Sequence, residues 1–302
     1  MASYFQPRSQ LVDPLRNLMS FAYRLRPYQI FILTAAFLAA TANLTFFSAV
    51  FELYPLISNS GFLISMAILV VSCLVLLMAI ISMVLPWRIT LSLFLLIAAA
   101  SSYFSDKFGT VIDIEMIRNI FETDAAESAD LLSVNLALRM LLLGLLPTAL
   151  IWRLPSRRKP FIQGKLAYVF TGLVALGLMA ACVFSFSSQY ASFFREHKTV
   201  RYYISPAYPI YSALQFAASF APTSAPLKFV ELNAVANILE TPAAHAELII
   251  LVVGETARAD HFSLNGYRRD TNPHLAAEPN LISYSNIHSC GTSTAISVPC
   301  MF

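Results

Sequence analysis

The chain is poor in charged residues. Asp, Glu, Lys and Arg make up 12% of its 302 residues, about half the share in an ordinary soluble domain, whereas hydrophobic residues make up 57%. This balance argues against a soluble globular protein and favours one that lies in a membrane. The net charge is only +3, and the basic residues lie beside apolar stretches instead of alternating with aromatic residues. We therefore expect no nucleic-acid partner.

Cysteine is also scarce, and its four occurrences differ in their surroundings. Cys73 and Cys182 lie inside apolar runs, whereas Cys290 and Cys300 flank a short polar segment. Only the second pair has the surroundings of a disulfide. The N-terminus lacks the pattern of a cleavable signal peptide, because about 27 polar and basic residues precede the first apolar run, which we expect to remain as an anchor.

Five apolar stretches are long enough to cross the ~30 Å of hydrocarbon in a bilayer. They lie near residues 28–51, 61–85, 87–104, 135–152 and 167–188. The segments before the first stretch, between the second and third, and between the fourth and fifth are basic, and they contain Arg8, Arg16, Arg24, Arg26, Arg88, Arg153, Arg157, Arg158, Lys159 and Lys165. The loop over residues 105–134 is instead acidic. Because basic loops stay in the cytoplasm, we predict a five-span domain over residues 1–190 with a cytoplasmic N-terminus and an external loop 105–134.

Two other classes of helical protein fit these features less well. A helix bundle inside a large soluble protein would not place basic residues in every alternate connection. No span contains the paired ionisable residues that an ion pathway requires, and Arg139, near the start of the fourth span, can reach the interface. A transporter or receptor is therefore the weakest alternative.

The residues after the fifth span predict a bridge and then a second domain. Residues 191–240 combine tyrosines and prolines typical of a segment at the membrane interface, namely Tyr202, Tyr203, Pro206, Tyr208, Pro209 and Tyr211. Residues 221–226 read as a joint, and Leu227 to Leu239 could form a short helix. From residue 241 the texture changes, because Leu248 to Val253 is a continuous apolar run typical of a buried strand.

In the external loop, polar residues recur every four positions. Glu115, Asn119, Thr123 and Glu127 would lie along one face of a helix. Their carboxylates, amide and hydroxyl could bind a zwitterionic head group, with the carboxylates at its ammonium and the neutral donors at its phosphate. From the pattern alone, an ordinary solvated helix is the more economical interpretation.

Two features near the end of the chain could carry chemistry. Glu255 follows the predicted strand, where ligands collect in α/β sheets, although an acidic residue there can also cap a helix. The segment from Ser289 to Cys300 crowds hydroxyl groups between two cysteines. A threonine needs a base or a metal to act as a nucleophile. The alternative is a disulfide-stapled turn whose hydroxyls satisfy backbone groups.

The motifs of this second segment resemble a known family. Gly254 to Tyr267 reads Gly-Glu-Thr-Ala-Arg-Ala-Asp-His-Phe-Ser-Leu-Asn-Gly-Tyr, followed by Thr271-Asn272-Pro273 and by Ser-Cys-Gly-Thr-Ser-Thr-Ala from Ser289. Together they resemble the bacterial phosphoethanolamine transferase family, most of all the branch that modifies lipid A and includes the polymyxin-resistance enzymes. The resemblance covers all 302 residues. It implies an α-helical inner-membrane domain with five transmembrane helices, followed over residues 241–302 by the start of a periplasmic α/β domain of the alkaline-phosphatase and sulfatase type.

The resemblance also implies roles for individual residues. Glu255 would bind zinc, and Thr294 would bind the same metal and act as the nucleophile that carries phosphoethanolamine. Asn119, Thr123 and Glu127 would bind the head group. The implied reaction moves phosphoethanolamine from phosphatidylethanolamine to a lipid A phosphate through a covalent intermediate on threonine.

Two matters stay open at this stage. The family's remaining zinc ligands would lie beyond Phe302, so we expect the chain as given to be inactive alone, possessing one carboxylate and one hydroxyl where a catalytic zinc needs three protein ligands. The acceptor is not encoded in these motifs, so transfer to core sugars or periplasmic glucans is an alternative. A membrane fragment that binds phospholipid and catalyses nothing is another.

Overall fold

The computed structural model describes residues 26–122, 131–154, 161–220, 248, 250–254, 257–284, 286–292 and 294–301. Contacts divide the chain into two compact units, Met1–Ala221 and Pro222–Phe302. Each unit is described by itself below.

Helices dominate the described residues of the first unit. They are α1 (Pro27–Thr41), α2 (Leu44–Leu53), α3 (Leu56–Ile81), α4 (Trp87–Phe108), α5 (Ile114–Glu122), α6 (Val134–Arg153), α7 (Phe161–Ser185), α8 (Ser187–Glu196) and α9 (Ala207–Ser219). The middle of α6, Met140–Leu145, is a π-helical segment, and a 3₁₀ turn covers Val200–Tyr203. Gly109 ends α4 with a φ of 66°, the left-handed conformation that a glycine adopts without strain.

The apolar stretches become spans, but the first of them is broken. Helices α3, α4, α6 and α7 are each long and apolar enough to cross a membrane, whereas α1 and α2 pass only as a pair and meet at an angle of 65°. The chain is therefore a multi-pass membrane protein with up to five spans. The apolar pattern over residues 28–51 predicted a span but gave no sign of this break.

A buried asparagine explains the break. Asn43 lies between α1 and α2 and is fully buried. Its amide group donates to the carbonyls of Leu38 at 2.9 Å and Ser205 at 2.8 Å, and its oxygen accepts from the Ser205 amide at 2.8 Å. The hydroxyl of Ser205 lies 2.7 Å from that of Ser101 in α4. These contacts, which we call the Asn43 knot, satisfy the backbone groups that the broken span exposes inside the protein.

The core of the unit lies around α3. This helix packs against α7, α1 and α4, and the largest fully buried side chains include Phe31, Phe62, Phe94, Leu74 and Met78. Many apolar side chains on α6 and α7 point away from the core and are exposed. A helix that is apolar on both its packed and its exposed side is what a bilayer solvent requires.

One end of the unit is basic. Arg88, at the start of α4, donates to the Leu154 carbonyl just after α6 and lies over the rings of Trp87 and Trp152, at 5.4 and 5.8 Å. Trp and Arg at such a position are typical of a membrane interface. We call this the basic end; Arg26, Arg153 and Lys165, at the adjoining ends of α1, α6 and α7, complete it.

The tyrosine-rich segment after α8 belongs to the first unit. Tyr202 and Tyr208 stack with ring centroids 4.6 Å apart. The Tyr203 hydroxyl donates to the Gly109 carbonyl at 3.0 Å, which ties the segment to the connection before α5. The helix predicted over residues 227–239 lies outside the described residues, and the interfacial role of residues 191–240 stays a prediction.

The described residues of the second unit form only short helical turns. These are 3₁₀ turns at Ala259–His261, Ser263–Asn265 and Pro299–Met301 and the helices α10 (Pro273–Ala276) and α11 (Thr294–Ser297). The strand predicted over residues 248–253 does not form at the described positions, where Leu248 and Val252 are each 84% exposed. A strand needs a neighbour for its backbone hydrogen bonds, and the described residues of this unit contain no strand to pair with it.

Candidate functional site

Thr294 lies in a loop that a disulfide closes. Cys290 and Cys300 are bonded, with Cα atoms 6.3 Å apart, which confirms the predicted pairing. Thr294 is the first residue of α11, and its carbonyl accepts a hydrogen bond of 3.1 Å from the Val298 amide. The residue is exposed. The loop therefore presents the threonine on a short turn whose flanks are linked covalently.

Gly291 lets this loop fold back on itself. A Cβ atom at position 291 would lie 2.7 Å from Cγ2 and 3.1 Å from Cβ of Ile296. The Ser289 hydroxyl donates to the Gly291 carbonyl at 2.6 Å and accepts from the Gly291 amide at 3.3 Å. The start of the loop thus packs against a residue two positions after Thr294, which helps to fix the turn that carries the hydroxyl.

The motif at the start of the second unit folds into a hydrogen-bonded cluster. The Ser263 amide donates to Thr271 Oγ1 at 2.9 Å, and the Thr271 amide donates to Ser263 Oγ at 3.2 Å. Thr271 Oγ1 also donates to the His261 carbonyl at 2.8 Å, and the Asn265 side chain donates to the Ala259 carbonyl at 2.9 Å. These polar residues therefore hold the backbone of the segment that follows the candidate metal ligand.

Asp260 is held in its ionised form. Arg258 donates to both of its carboxylate oxygens, at 3.0 and 2.6 Å, and His261 Nδ1 lies 3.2 Å from the carboxylate. The hydrogen bond from Arg258 lowers the pKa of Asp260, and the same bond raises the pKa of Arg258. The pair is exposed, so it contributes little to stability. Its effect is to orient Arg258.

The described residues do not form a metal centre. Glu255 lies outside them, and no three His, Cys, Asp or Glu side chains within the described ranges come together as metal ligands. A catalytic zinc site normally has three protein ligands. Thr294 and the other described side chains therefore do not make such a site by themselves.

Of the three residues that the family resemblance assigns to the head group, the structure describes Asn119; Thr123 and Glu127 lie outside the described residues. Asn119 is on α5, whose first turn is capped because Asp113 Oδ1 accepts from the Met116 amide at 2.9 Å. This cap explains why the helix begins where it does.

The acidic face of α5 also carries a cation. Arg118 donates to both oxygens of Glu115, at 3.0 and 2.9 Å. Glu115 is therefore already neutralised by its own helix. A role of Glu115 at a ligand ammonium stays a prediction.

Helix α5 is held in place by α9. Phe121 and Phe216 stack with their ring centroids 5.4 Å apart, and the two helices pack along one another. On the other side of the external loop, the Tyr103 hydroxyl lies 2.6 Å from Ser133 Oγ, which in turn accepts from the Leu136 amide and caps α6. One flank of the loop is thus fixed to α9, and the other is fixed to the span α4.

The sequence did not reveal an ion pair at the end of the spans next to the external loop. Arg139 in α6 donates to Asp106 in α4 and, at 3.3 Å, to the Thr41 carbonyl, and Thr45 donates to Asp106 through its amide and its hydroxyl. The Arg139 and Asp106 side chains are only 20% and 16% exposed. The expectation that no spans carry paired ionisable residues is therefore wrong. The sequence feature that could have indicated this pair is an acidic residue near the end of α4 followed by a basic residue near the start of α6.

Family comparisons divide the chain much as its contacts do. Residues 70–220 match the model of the phosphoethanolamine transferase EptA/EptB family. Residues 247–302 match the sulfatase family model. The first match covers the spans from α3 onward together with α5, α8 and α9, and the second covers the loop with Thr294.

Individual proteins match most of the chain. The chain is 42% identical over 287 residues to phosphatidylethanolamine transferase Mcr-2 of Escherichia coli, covering 93% of this chain and 53% of that protein. A more distant relative is the Kdo(2)-lipid A phosphoethanolamine 7''-transferase of Escherichia coli, 27% identical over 72% of this chain and 41% of that protein.

A solved structure shares the fold. It is the integral membrane lipooligosaccharide phosphoethanolamine transferase A (EptA) of Neisseria meningitidis, which matches with a TM-score of 0.80 and 29% identity over 91% of this chain and 51% of that one. The chain spans about half the length of the curated relatives it matches. On these grounds, the chain belongs to the phosphoethanolamine transferase EptA/EptB family.

Proposed function

We propose that this chain carries the membrane domain and the nucleophile of an enzyme that transfers phosphoethanolamine from phosphatidylethanolamine to a phosphate of lipid A. The observation that carries the proposal is the exposed Thr294 inside the Cys290–Cys300 loop, in the segment that matches the sulfatase family. The family membership and the names of the relatives support the transferred group and the acceptor.

In the first half of the reaction, Thr294 Oγ attacks the phosphorus of phosphatidylethanolamine. The Oγ–P bond forms, the threonine proton leaves to solvent or a base, and the P–O bond to diacylglycerol breaks. The departing oxygen takes up a proton, so diacylglycerol is released. In the second half, a lipid A phosphate oxygen attacks the same phosphorus, the Oγ–P bond breaks, and Thr294 regains its proton.

The fixed loop is what suits Thr294 to this task. A free threonine hydroxyl is a weak nucleophile, so its position relative to the phosphorus has to be defined before attack. The disulfide and the Gly291–Ile296 contact define the backbone on both sides of it. Zinc, when bound, would supply positive charge for the hydroxyl and the phosphoryl oxygens. We propose Glu255 and Thr294 as two of its ligands, with the others outside the described residues.

The donor lipid would be held at the external loop. We propose that Asn119, Thr123 and Glu127 bind its ethanolamine phosphate, with the Glu127 carboxylate at the ammonium and the amide and hydroxyl at the phosphate. The contacts of α5 with α9 support the placement of this face at the end of the spans opposite the basic end.

We also propose an orientation in the bacterial inner membrane. The basic end, with Arg88 and Arg153, would face the cytoplasm because positively charged loops are retained there. The external loop 105–134 and residues 241–302 would then lie in the periplasm, where the Cys290–Cys300 disulfide is stable.

The test uses bacteria that produce this chain joined to a complete sulfatase domain. It compares Thr294→Ala with a control at the other threonine of the loop, Thr292→Ala. Lipid A is extracted and analysed by mass spectrometry, and the peptide containing Thr294 is searched for a phosphoethanolamine adduct. We expect the native protein and Thr292→Ala to modify lipid A, and Thr294→Ala to lose both the modification and the adduct.

The opposite results are equally clear. If cells with Thr294→Ala still contain modified lipid A, Thr294 is not the nucleophile. If core sugars or periplasmic glucans are modified in place of lipid A, the proposed acceptor is contradicted. The proposal that phosphoethanolamine is the transferred group would not be affected.

A further inference from the structure

An apolar groove runs along the first unit between α1, α3 and α7. It encloses about 880 Å³, within the range of small-molecule pockets. Its walls include Ile32 of α1, Ile64 and Ile68 of α3, and Val174 of α7, which are all exposed in the absence of a bilayer. The groove is therefore open towards the membrane and belongs to no part of the external loop.

The groove begins at the basic end. Arg26, Tyr28 and Tyr168 lie at that end, and the Tyr168 ring stacks on Phe31 at 5.6 Å. Tyrosine and arginine are the residues that favour the head-group level of a bilayer. Of the described lining residues, Arg26 is the one that carries a charge, and it is exposed.

The groove is long enough for an acyl chain. Its lining extends from Ile64 to Val75 on α3 and from Ala167 to Leu178 on α7. Each stretch rises by about 16 Å at 1.5 Å per residue, close to half of the ~30 Å hydrocarbon thickness. A single extended acyl chain whose head group lies at the basic end would fill it.

We propose that this groove is a binding site for an anionic phospholipid of the leaflet at the basic end, with one acyl chain in the groove and the phosphate at Arg26. The Arg26 guanidinium at the mouth selects negative charge, and the apolar walls select the acyl chain. None of the described lining residues belongs to α5, so the site is separate from the proposed donor site and does not depend on the proposed reaction.

The test measures lipid retained by the purified full chain. The protein is exchanged into detergent with equal amounts of phosphatidylglycerol and phosphatidylcholine of the same acyl chains, and retained lipid is counted by native mass spectrometry. Arg26→Gln removes the cation, and Ala67→Phe fills the groove from α3. Arg153→Gln is the matched control, because Arg153 lies at the same end outside the lining.

We expect one tightly retained phosphatidylglycerol on the native chain and on Arg153→Gln. Arg26→Gln should retain about fivefold less, the effect of one basic residue near a lipid phosphate, and Ala67→Phe should lose the lipid. Helical circular dichroism checks that each variant is folded. Retention equal to the native level in Arg26→Gln, or equal retention of phosphatidylcholine, would overturn the proposal; so would full retention by Ala67→Phe.

Discussion

Replacing Asn43 by alanine should destabilise the membrane-spanning unit by about 3 kcal/mol. The change removes three hydrogen bonds of 2.8–2.9 Å in a fully buried position. It leaves both backbone groups of Ser205 without this partner, whereas the Leu38 carbonyl keeps the hydrogen bond of 2.9 Å from the Ala42 amide. A buried group that loses its partner costs about 1–3 kcal/mol, whereas hydrogen bonds between membrane helices average about 0.6 kcal/mol. About 1 kcal/mol for each of the three lost hydrogen bonds lies between these limits.

The two free cysteines provide the assay. Cys73 and Cys182 lie inside α3 and α7, and Cys182 is buried. A thiol-reactive fluorogenic dye will label them as the purified protein unfolds during heating. For a unit of about 200 residues, 3 kcal/mol corresponds to a fall in Tm of about 6–12 °C. The dye should therefore report unfolding of Asn43→Ala at a lower temperature than that of the native protein.

Asn59→Ala is the matched control. The Asn59 side chain donates only to its neighbours, the Pro55 carbonyl at 3.2 Å and the Ser58 hydroxyl at 3.0 Å, near the surface. Its loss should change the free energy of unfolding by no more than about 0.5 kcal/mol. If Asn43→Ala unfolds at the same temperature as Asn59→Ala, the Asn43 knot does not stabilise the unit and the explanation of the bent span is refuted.

Two further predictions concern the second unit. Gly291→Ala should place a methyl group against Ile296 at a cost of about 1–3 kcal/mol. The fraction of protein with the Cys290–Cys300 disulfide, measured by mass spectrometry without reductant, should therefore fall, and adding Ile296→Ala should restore it. An undiminished fraction in Gly291→Ala alone would contradict the contact. Because Arg258 lowers the pKa of Asp260, the ion pair is intact above the ordinary carboxylate pKa and is lost only as the pH falls through the lowered value. An NMR titration of the Arg258 Nε–H should show a midpoint below the ordinary Asp value of about 3.9, absent in Asp260→Asn, and a midpoint at or above that value would exclude the pair.

The sequence predicted where the spans lie because a bilayer imposes one strong requirement, an apolar run of sufficient length. It did not predict the bend after Thr41. The cause of that bend is a contact between Asn43 and Ser205, which are 162 positions apart. Nothing local to residues 28–51 distinguishes an asparagine that binds a distant backbone from one that faces lipid.

The candidate site was predictable to the extent that it is local. The Cys290–Cys300 pairing could be inferred from surroundings and spacing, and the structure contains it. The pairing of Asp106 with Arg139 could not be inferred in the same way, because it depends on α4 and α6 meeting at the same end. The strand expected over residues 248–253 failed for a related reason, since a strand is defined by its partner.

The polar contacts of the first unit converge on the segment that carries Asn119. The ion pair of Asp106 and Arg139 joins α4 to α6, the spans on the two sides of the external loop. Thr45 in α2 donates to the same Asp106 and so joins the broken first span to them. The Asn43 knot joins that same break to the start of α9, which stacks on α5 through Phe216. Hydrogen bonds inside a bilayer are retained where backbone or charge has to be satisfied. These contacts are concentrated at the end of the spans that carries the external loop. The broken first span, α4, α6 and α9 therefore set the position of α5 together, and loss of the Asn43 knot should change the position of Asn119.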